Sequence, residues 1–174
     1  MRTIKFKGKR LDNGEWLEGY YRGNNEGKAF ISRIKRPPLS FEVDPETVCQ
    51  FTGILDKNGK EIYEGDLLRS DKYPYSDLED GKRDNYFAVV YYHEESARFV
   101  TVTIKNPVST VLGISEGNHG DVSRDEMMGF EVVGNIHEEK WQQYGEYFKN
   151  EERDFRNRRK SVQRKPEGTQ GVQN

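Results

Sequence analysis

The residues that could carry chemistry are few and scattered. The three histidines, His93, His119 and His137, lie in unrelated segments. His93-Glu94-Glu95 lacks the second histidine, four residues on, that would put two zinc ligands on one helix face. Cys49 is the only cysteine, so neither a Cys-x-x-Cys metal pair nor an intramolecular disulfide can form. Two carboxylate pairs stand two residues apart, Asp44 with Glu46 and Glu64 with Asp66. On an extended segment such pairs share a face, and general acid–base work needs two carboxyls in different environments. Asp44-Pro45 is also ordinary turn chemistry, and Gly65-Asp66 is a common way to begin a strand. The structural reading of both pairs is the one expected here. Gly113 to Gly120 has neither dinucleotide-fingerprint spacing nor a Gly-Lys-Ser/Thr, so no phosphate cradle is expected there. Ser115 and Ser123 have His119 nearby, but triads are built by convergence in space and not by sequence adjacency. No catalytic residue, metal ligand or cofactor-binding residue is identified, and no cofactor is expected.

Charge offers one further candidate. From Arg153 to Lys165 the bases Arg153, Arg156, Arg158, Arg159, Lys160, Arg164 and Lys165 face the single acid Asp154. Such a segment can neutralise phosphates and release counterions, and Arg2, Lys5, Lys7, Lys9 and Arg10 form a second basic stretch. Glu138, Glu139, Glu146, Glu151 and Glu152 precede the tail, however. Acidic first turns and basic last turns suit a helix macrodipole with no ligand at all. The solvated-helix reading is preferred, with nucleic-acid binding through Arg153, Arg156, Arg158, Arg159 and Lys160 as the alternative.

The elements that would position these groups are mostly strands. Thr3 to Lys7 alternates with period two, and Leu11 to Glu15 supplies a turn before a returning strand at Trp16–Tyr21. A third strand covers Lys28–Ile34, ended by Pro37-Pro38. Phe41–Phe51 opens extended, with a turn or short helix start at Asp44–Thr47. Leu55–Tyr63 is a hairpin around Asn58-Gly59, and Leu67–Arg69 extends from it. Residues 71–85 are polar and turn-rich, as expected of an exposed inserted loop. Tyr86–His93 and Arg98–Ile104 form the clearest hairpin, joined by Glu94–Ala97. Residues 105–128 read as irregular, with a short strand near Val111-Leu112, and Phe130–Ile136 is a last strand. Trp141, Tyr144, Phe148 and Phe155 then fall on one stripe of a helix over 138–160, a candidate docking or oligomer interface. Residues 161–174 read as a disordered polar tail.

Val43-Asp-Pro-Glu-Thr-Val-Cys-Gln-Phe-Thr-Gly-Ile-Leu-Asp-Lys-Asn-Gly-Lys-Glu-Ile-Tyr-Glu-Gly-Asp-Leu-Leu68 closely resembles the YopX family of bacteriophage and prophage proteins. The resemblance extends to Ile4–Lys9, Glu94–Phe99 and Glu131–Ile136. It implies a mainly β fold, a small SH3-like β-barrel with inserted loops over residues 1–137, to which the aromatic spacing adds the C-terminal α-helix. It supplies no catalytic residues. Cys49 stands where the family usually has glycine, and the region beyond 138 runs longer than in a typical member.

An aromatic share of 12 % is more than a disordered chain carries, so most of the protein folds. The net charge of −2 argues against global attraction to nucleic acid or membrane. The basic-apolar alternation of the first ten residues is no signal peptide, and no apolar run reaches the ~18 residues of a membrane span. Together with what the resemblance implies, these features predict a soluble, cytoplasmic, non-enzymatic phage accessory protein that binds another macromolecule. It would be a homo-oligomer whose partner is a host or phage protein.

Overall fold

The structure, a computed structural model, describes residues 3–33, 39–70, 86–105 and 119–141. Within them, eleven strands form two antiparallel sheets. The six-stranded sheet contains β1 (Phe6–Lys9), β2 (Trp16–Gly23), β3 (Ala29–Ser32), β4 (Ser40–Val43), β5 (Cys49–Leu55) and β6 (Glu61–Tyr63). Its order is β4-β3-β2-β1-β5-β6. The five-stranded sheet contains β7 (Asp66–Ser70), β8 (Tyr86–His93), β9 (Arg98–Lys105), β10 (His119–Asp121) and β11 (Glu131–Asn135). Its order is β10-β9-β8-β7-β11.

The mainly β expectation holds, but among the described residues the pairings do not close a barrel. The first sheet ends at β4 and β6, and the second at β10 and β11. Among the described residues one isolated bridge, Arg10 to Val43, curls the end of β1 back on β4, with Asp44 N–H donating to the Lys9 carbonyl at 2.8 Å. β1 is four residues long and runs directly into the Leu11–Asn13 turn. Its edge away from β2 is taken by β5 at Phe6 and Lys7, so only Lys9 and Arg10 are left to reach β4.

Long β2 links two pairings. Its first half, Trp16–Gly19, pairs with β1, and its second half, Tyr20–Gly23, pairs with β3. Opposed residues in an antiparallel pair share a face, so alternation sorts the sheet into two surfaces. Leu17, Ala29, Ile31 and Val43 are buried on one, packed by Phe6, Phe41 and Val48. On the other, Cys49, Phe51 and Tyr63 pack under Trp16.

The second sheet is covered on both faces. Leu68, Ala88, Val90 and Phe99 meet Ile62 of the first sheet together with Met127 and Phe130. Leu67, Val89 and Ile104 lie on the opposite face under Val133, Ile136 and Trp141. This explains why Tyr86–Val90 reads as a near-continuous apolar run and not as a clean alternation.

Asp56 fastens the β5–β6 hairpin to the second sheet. Its Oδ1 accepts from the N–H groups of Asn58 and Lys60 at 2.8 and 2.9 Å, and its Oδ2 accepts from Val132 N–H at 2.9 Å. Lys57 N–H donates to the Phe130 carbonyl alongside, at 2.9 Å. The Asn58-Gly59 turn is thus held at its base by a carboxylate.

Glu131, opposite Arg69 on β7, is hydrogen-bonded to that guanidinium. Arg69 holds its carboxyl below the ordinary value of 4.5. A depressed folded value means that its contribution is present above pH ~4.5 and is lost as the pH falls through the folded value. Glu131→Gln is therefore expected to lower stability at neutral pH by no more than about 1 kcal/mol. The deficit should vanish toward low pH in urea melts across a pH series; a deficit independent of pH would remove the ion-pair account.

Within residues 105–128, expected to be irregular, β10 and a one-turn helix at Arg124–Met127 are present. Ser123 caps that helix, its hydroxyl accepting from Glu126 N–H at 3.3 Å. The expected inserted loop at 71–85, the expected strand near Val111-Leu112, the expected tail at 161–174 and the expected helix beyond 141 fall outside the described residues. Glu139–Trp141, where that helix was expected to begin, is a 3-10 turn.

Candidate functional site

The densest polar constellation surrounds Asp66, at the start of β7. Asp66 is wholly buried. Its Oδ1 accepts from Lys7 Nζ of β1 and from Asn135 Nδ2 of β11, the latter at 2.9 Å, and its Oδ2 accepts from Tyr63 N–H at 2.8 Å. Asn135, equally buried, also donates to the Glu64 carbonyl at 3.2 Å, and its Oδ1 accepts from His137 N–H at 3.0 Å. Three strands from two sheets therefore meet at one carboxylate.

Strand periodicity explains how Lys7 arrives there. Lys5, Lys7 and Lys9 are two apart, so a strand sends all three ammonium groups to one face. Lys5 pairs with Glu61, Lys7 with Asp66, and Lys9 donates to the His137 carbonyl at 2.6 Å. Their stems run over aromatic rings: Lys5 over Phe51, Lys7 over Trp16 and Tyr63, Lys9 over Trp16, with Nζ 4.7–5.5 Å from the centroids. Arg10 is held by Asp12, with Nε 2.9 Å from Oδ1. Lys5, Lys7 and Lys9 thus form an internal seam, while Arg2 lies outside the described residues. That was legible only in part: the spacing of two was visible, but the partners Glu61 and Asp66 lie far along the chain.

The electrostatics of this cluster suit structure better than acid–base chemistry. Burial pushes the Asp66 carboxyl above its ordinary 3.8, against the pull of Lys7 and Asn135. Burial likewise pushes the Cys49 thiol up to about 12, which keeps it protonated and a poor nucleophile at neutral pH. Its Sγ donates to the Thr47 carbonyl at 3.3 Å. Burial and the hydrogen bond to Glu61 raise Tyr63 as well. No buried side-chain nitrogen or oxygen among the described residues lacks a hydrogen-bond partner.

Asp44, His93 and Ser123 resolve into local roles, while Ser115 and the Gly113–Gly117 stretch lie outside the described residues. Asp44 caps the Pro45–Thr47 turn, accepting from Glu46 N–H at 3.0 Å. His93 Nδ1 lies 2.7 Å from the Ser96 hydroxyl and accepts from Ser96 N–H at 3.3 Å. It caps the 3-10 turn at Glu94–Ser96, which ends in left-handed Ala97 (φ 51°) before β9 begins. Ser123 is a helix cap. Among the described residues no group of three or more His, Cys, Asp or Glu is placed to hold a metal ion. No helix among them is long and apolar enough to cross a membrane.

Of the aromatic stripe, Trp141 is described. It docks against the Leu67–Val89–Ile104 cluster and lies directly over Gly134 of β11. Trp141 is half-buried. Tyr144, Phe148 and Phe155 lie outside the described residues, as do Arg153, Arg156, Arg158, Arg159 and Lys160. On the first sheet Tyr20 and Tyr21 of β2 are 54 % and 45 % exposed. Arg22, beside them, stands with its guanidinium 5.2 Å from the Phe30 ring centroid.

Two antiparallel sheets fastened by a buried lysine–aspartate–asparagine cluster define a mainly β protein. The model of the YopX protein family matches residues 5–140, and the chain belongs to that family. Among solved structures, protein EF1440 from Enterococcus faecalis is 22 % identical, over 81 % of this chain and 99 % of that one, with a TM-score of 0.43. No curated protein matches the sequence.

Proposed function

We propose that the protein is a non-catalytic module that binds another macromolecule and assembles as a homo-oligomer. The observation that carries this reading is the contrast between two sets of charged and aromatic side chains. Lys5, Lys7, Lys9, Asp66 and Tyr63 are occupied with one another inside the fold, whereas Tyr20, Tyr21 and Arg22 stand out from β2. Exposed tyrosine and arginine on a rigid strand are the residue types that anchor interfaces. The Arg10–Val43 bridge supports the SH3-like reading of the first four strands, and family membership supports a phage or prophage accessory role in the host cytoplasm. Assembly is assigned to the stripe that begins at Trp141 and continues with Tyr144, Phe148 and Phe155. A docked first residue supports a packed role for the rest, since soluble proteins seldom leave such a strip bare.

Light scattering on the intact chain is expected to give a mass above 20.3 kDa. Replacing Tyr144, Phe148 and Phe155 together by serine is expected to give a monomer with an unchanged melting profile. An intact chain that is monomeric at high micromolar concentration would remove the assembly part of the proposal.

A further inference from the structure

Two asparagines are followed directly by glycine, Asn13-Gly14 and Asn58-Gly59. Such a step can react with itself. The glycine nitrogen, having given its proton to solvent base, bonds to the asparagine Cγ. The Cγ–Nδ2 bond then breaks, ammonia leaves, and water opens the resulting succinimide to aspartate or isoaspartate. Glycine has no side chain to obstruct the attack. The reaction asks two things of the fold: a side chain free to swing over the glycine nitrogen, and a glycine N–H free to lose its proton.

The two steps are alike in the second respect. Gly14 N–H donates to the Arg10 carbonyl at 2.9 Å, and Gly59 N–H to the Asp56 carbonyl at 3.0 Å. They differ in the first. The Asn13 amide is held at both ends, its Nδ2 donating to Glu15 Oε2 at 2.9 Å and its Oδ1 accepting from Glu15 N–H at 3.0 Å. Asn58 is exposed, and among the described residues its side-chain amide has no hydrogen-bond partner.

What restrains Asn58 is therefore the backbone of its turn, and Asp56 holds that backbone. The Asp56 carbonyl takes the Gly59 proton, and its buried carboxylate takes the N–H groups of Asn58 and Lys60 on either side. A carboxylate this close also opposes loss of the Gly59 proton, because the amide anion would be a like charge. Reaction waits on opening of the turn.

We propose that Asn58 is a self-modification site, deamidating at a rate gated by Asp56, and that its product loosens the joint between the two sheets. Either product puts a second carboxylate two residues from Asp56. Isoaspartate also lengthens the backbone by one carbon before Gly59, which carries Gly59 and Lys60 away from the Asp56 acceptors. The same carboxylate accepts from Val132 N–H of β11 at 2.9 Å, and Lys57 N–H donates to the Phe130 carbonyl. Displacement of the turn therefore reaches the second sheet. The site needs no partner or cofactor and does not depend on the binding-module reading.

The test is incubation of the full chain at neutral and at mildly alkaline pH, with peptide mapping by mass spectrometry to read Asn58 and Asn13 separately. Conversion is expected first at Asn58 and faster at the higher pH. It should be lost from that position in Asn58→Gln, whose longer side chain would have to close a larger ring. Asp56→Ala is expected to speed conversion of Asn58 about tenfold, the effect of losing hydrogen bonds to a charged group, and to leave Asn13 unchanged. Should Asp56→Ala unfold the chain, Asp56→Asn, which keeps an acceptor for Asn58 and Lys60 and removes the charge, is expected to speed Asn58 by a smaller factor. Hydrogen exchange at the Val132 amide should quicken in the converted protein and not in Asn58→Gln kept alongside. Conversion of Asn13 as fast as Asn58, or none at Asn58 where the matching free peptide converts, overturns the proposal. Failure of both Asp56 variants to favour Asn58 over Asn13 removes the gate, and unchanged exchange at Val132 removes the effect on the joint.

Discussion

Asp66→Ala is expected to lower the unfolding free energy by about 3–5 kcal/mol, measured by urea denaturation at neutral pH. Alanine would leave Lys7 Nζ, Asn135 Nδ2 and Tyr63 N–H without their shared acceptor in a site closed to water. Asp66→Asn is expected to be little better. Its amide would present a donor to groups that already donate, and Lys7 would still lose its countercharge. A buried pair is strong evidence of cost when broken and weak evidence of net stabilisation when intact. Replacing Lys7 by methionine and Asp66 by leucine together should therefore recover most of the loss. The pH dependence has the opposite sign to that of Glu131. Because burial raises the Asp66 carboxyl, ionising it costs folding free energy, so this group favours the fold as the pH falls through its raised value, with no further gain below its ordinary 3.8. The asparagine variant loses that gain, and the gap between the two proteins should widen on acidification. A single-variant loss below about 1 kcal/mol, the range of exposed pairs, would show that the cluster is not closed to water.

What could be read from the sequence was local. The Asn58-Gly59 hairpin and the Tyr86–Lys105 hairpin follow from turn chemistry and β-rich composition, both contained within a few residues. Asp44 and Asp66 were read as structural, and the cap at Asp44 and the strand start at Asp66 bear this out. Ser123 was considered as a nucleophile, although Ser123-Arg-Asp-Glu126 carries the spacing of a capping box and the residue caps a helix. The misses depend on distant partners. Alternation in β1 shows that Lys5, Lys7 and Lys9 share a face, but whether that face meets solvent or the acids Glu61 and Asp66 is decided by strand order. The family resemblance implied a small barrel, and closure is prevented because β5 takes the outer edge of β1 at Phe6 and Lys7, a pairing that no composition reports.

Two glycines separate a global effect from a local one. A Cβ on Gly19 would lie 2.0 Å from the Ser32 carbonyl oxygen and 2.8 Å from its carbonyl carbon. Gly19 sits where β2 leaves β1 and joins β3, so the obstructing atoms are backbone in a paired strand that cannot rotate aside. Gly19→Ala is expected to force β3 away from β2 and to cost about 3 kcal/mol or more, at the upper end of overpacking penalties. A Cβ on Gly134 would be 2.1 Å from Trp141 Nε1, an overlap as severe on paper. The obstacle is the ring of a half-buried side chain at the end of a short 3-10 turn, and it can leave. Gly134→Ala is expected to undock Trp141, shifting its fluorescence to longer wavelength, while lowering global stability by only about 1–2 kcal/mol, less than complete removal of a fully buried tryptophan. The Leu67–Val89–Ile104 cluster would lose part of its cover, so apolar dye binding should rise in this variant and in Trp141→Ala alike. Equal global losses for Gly19→Ala and Gly134→Ala would mean that Trp141 is as firmly fixed as the sheet itself. The assembly stripe would then begin inside the folded core and not at its margin.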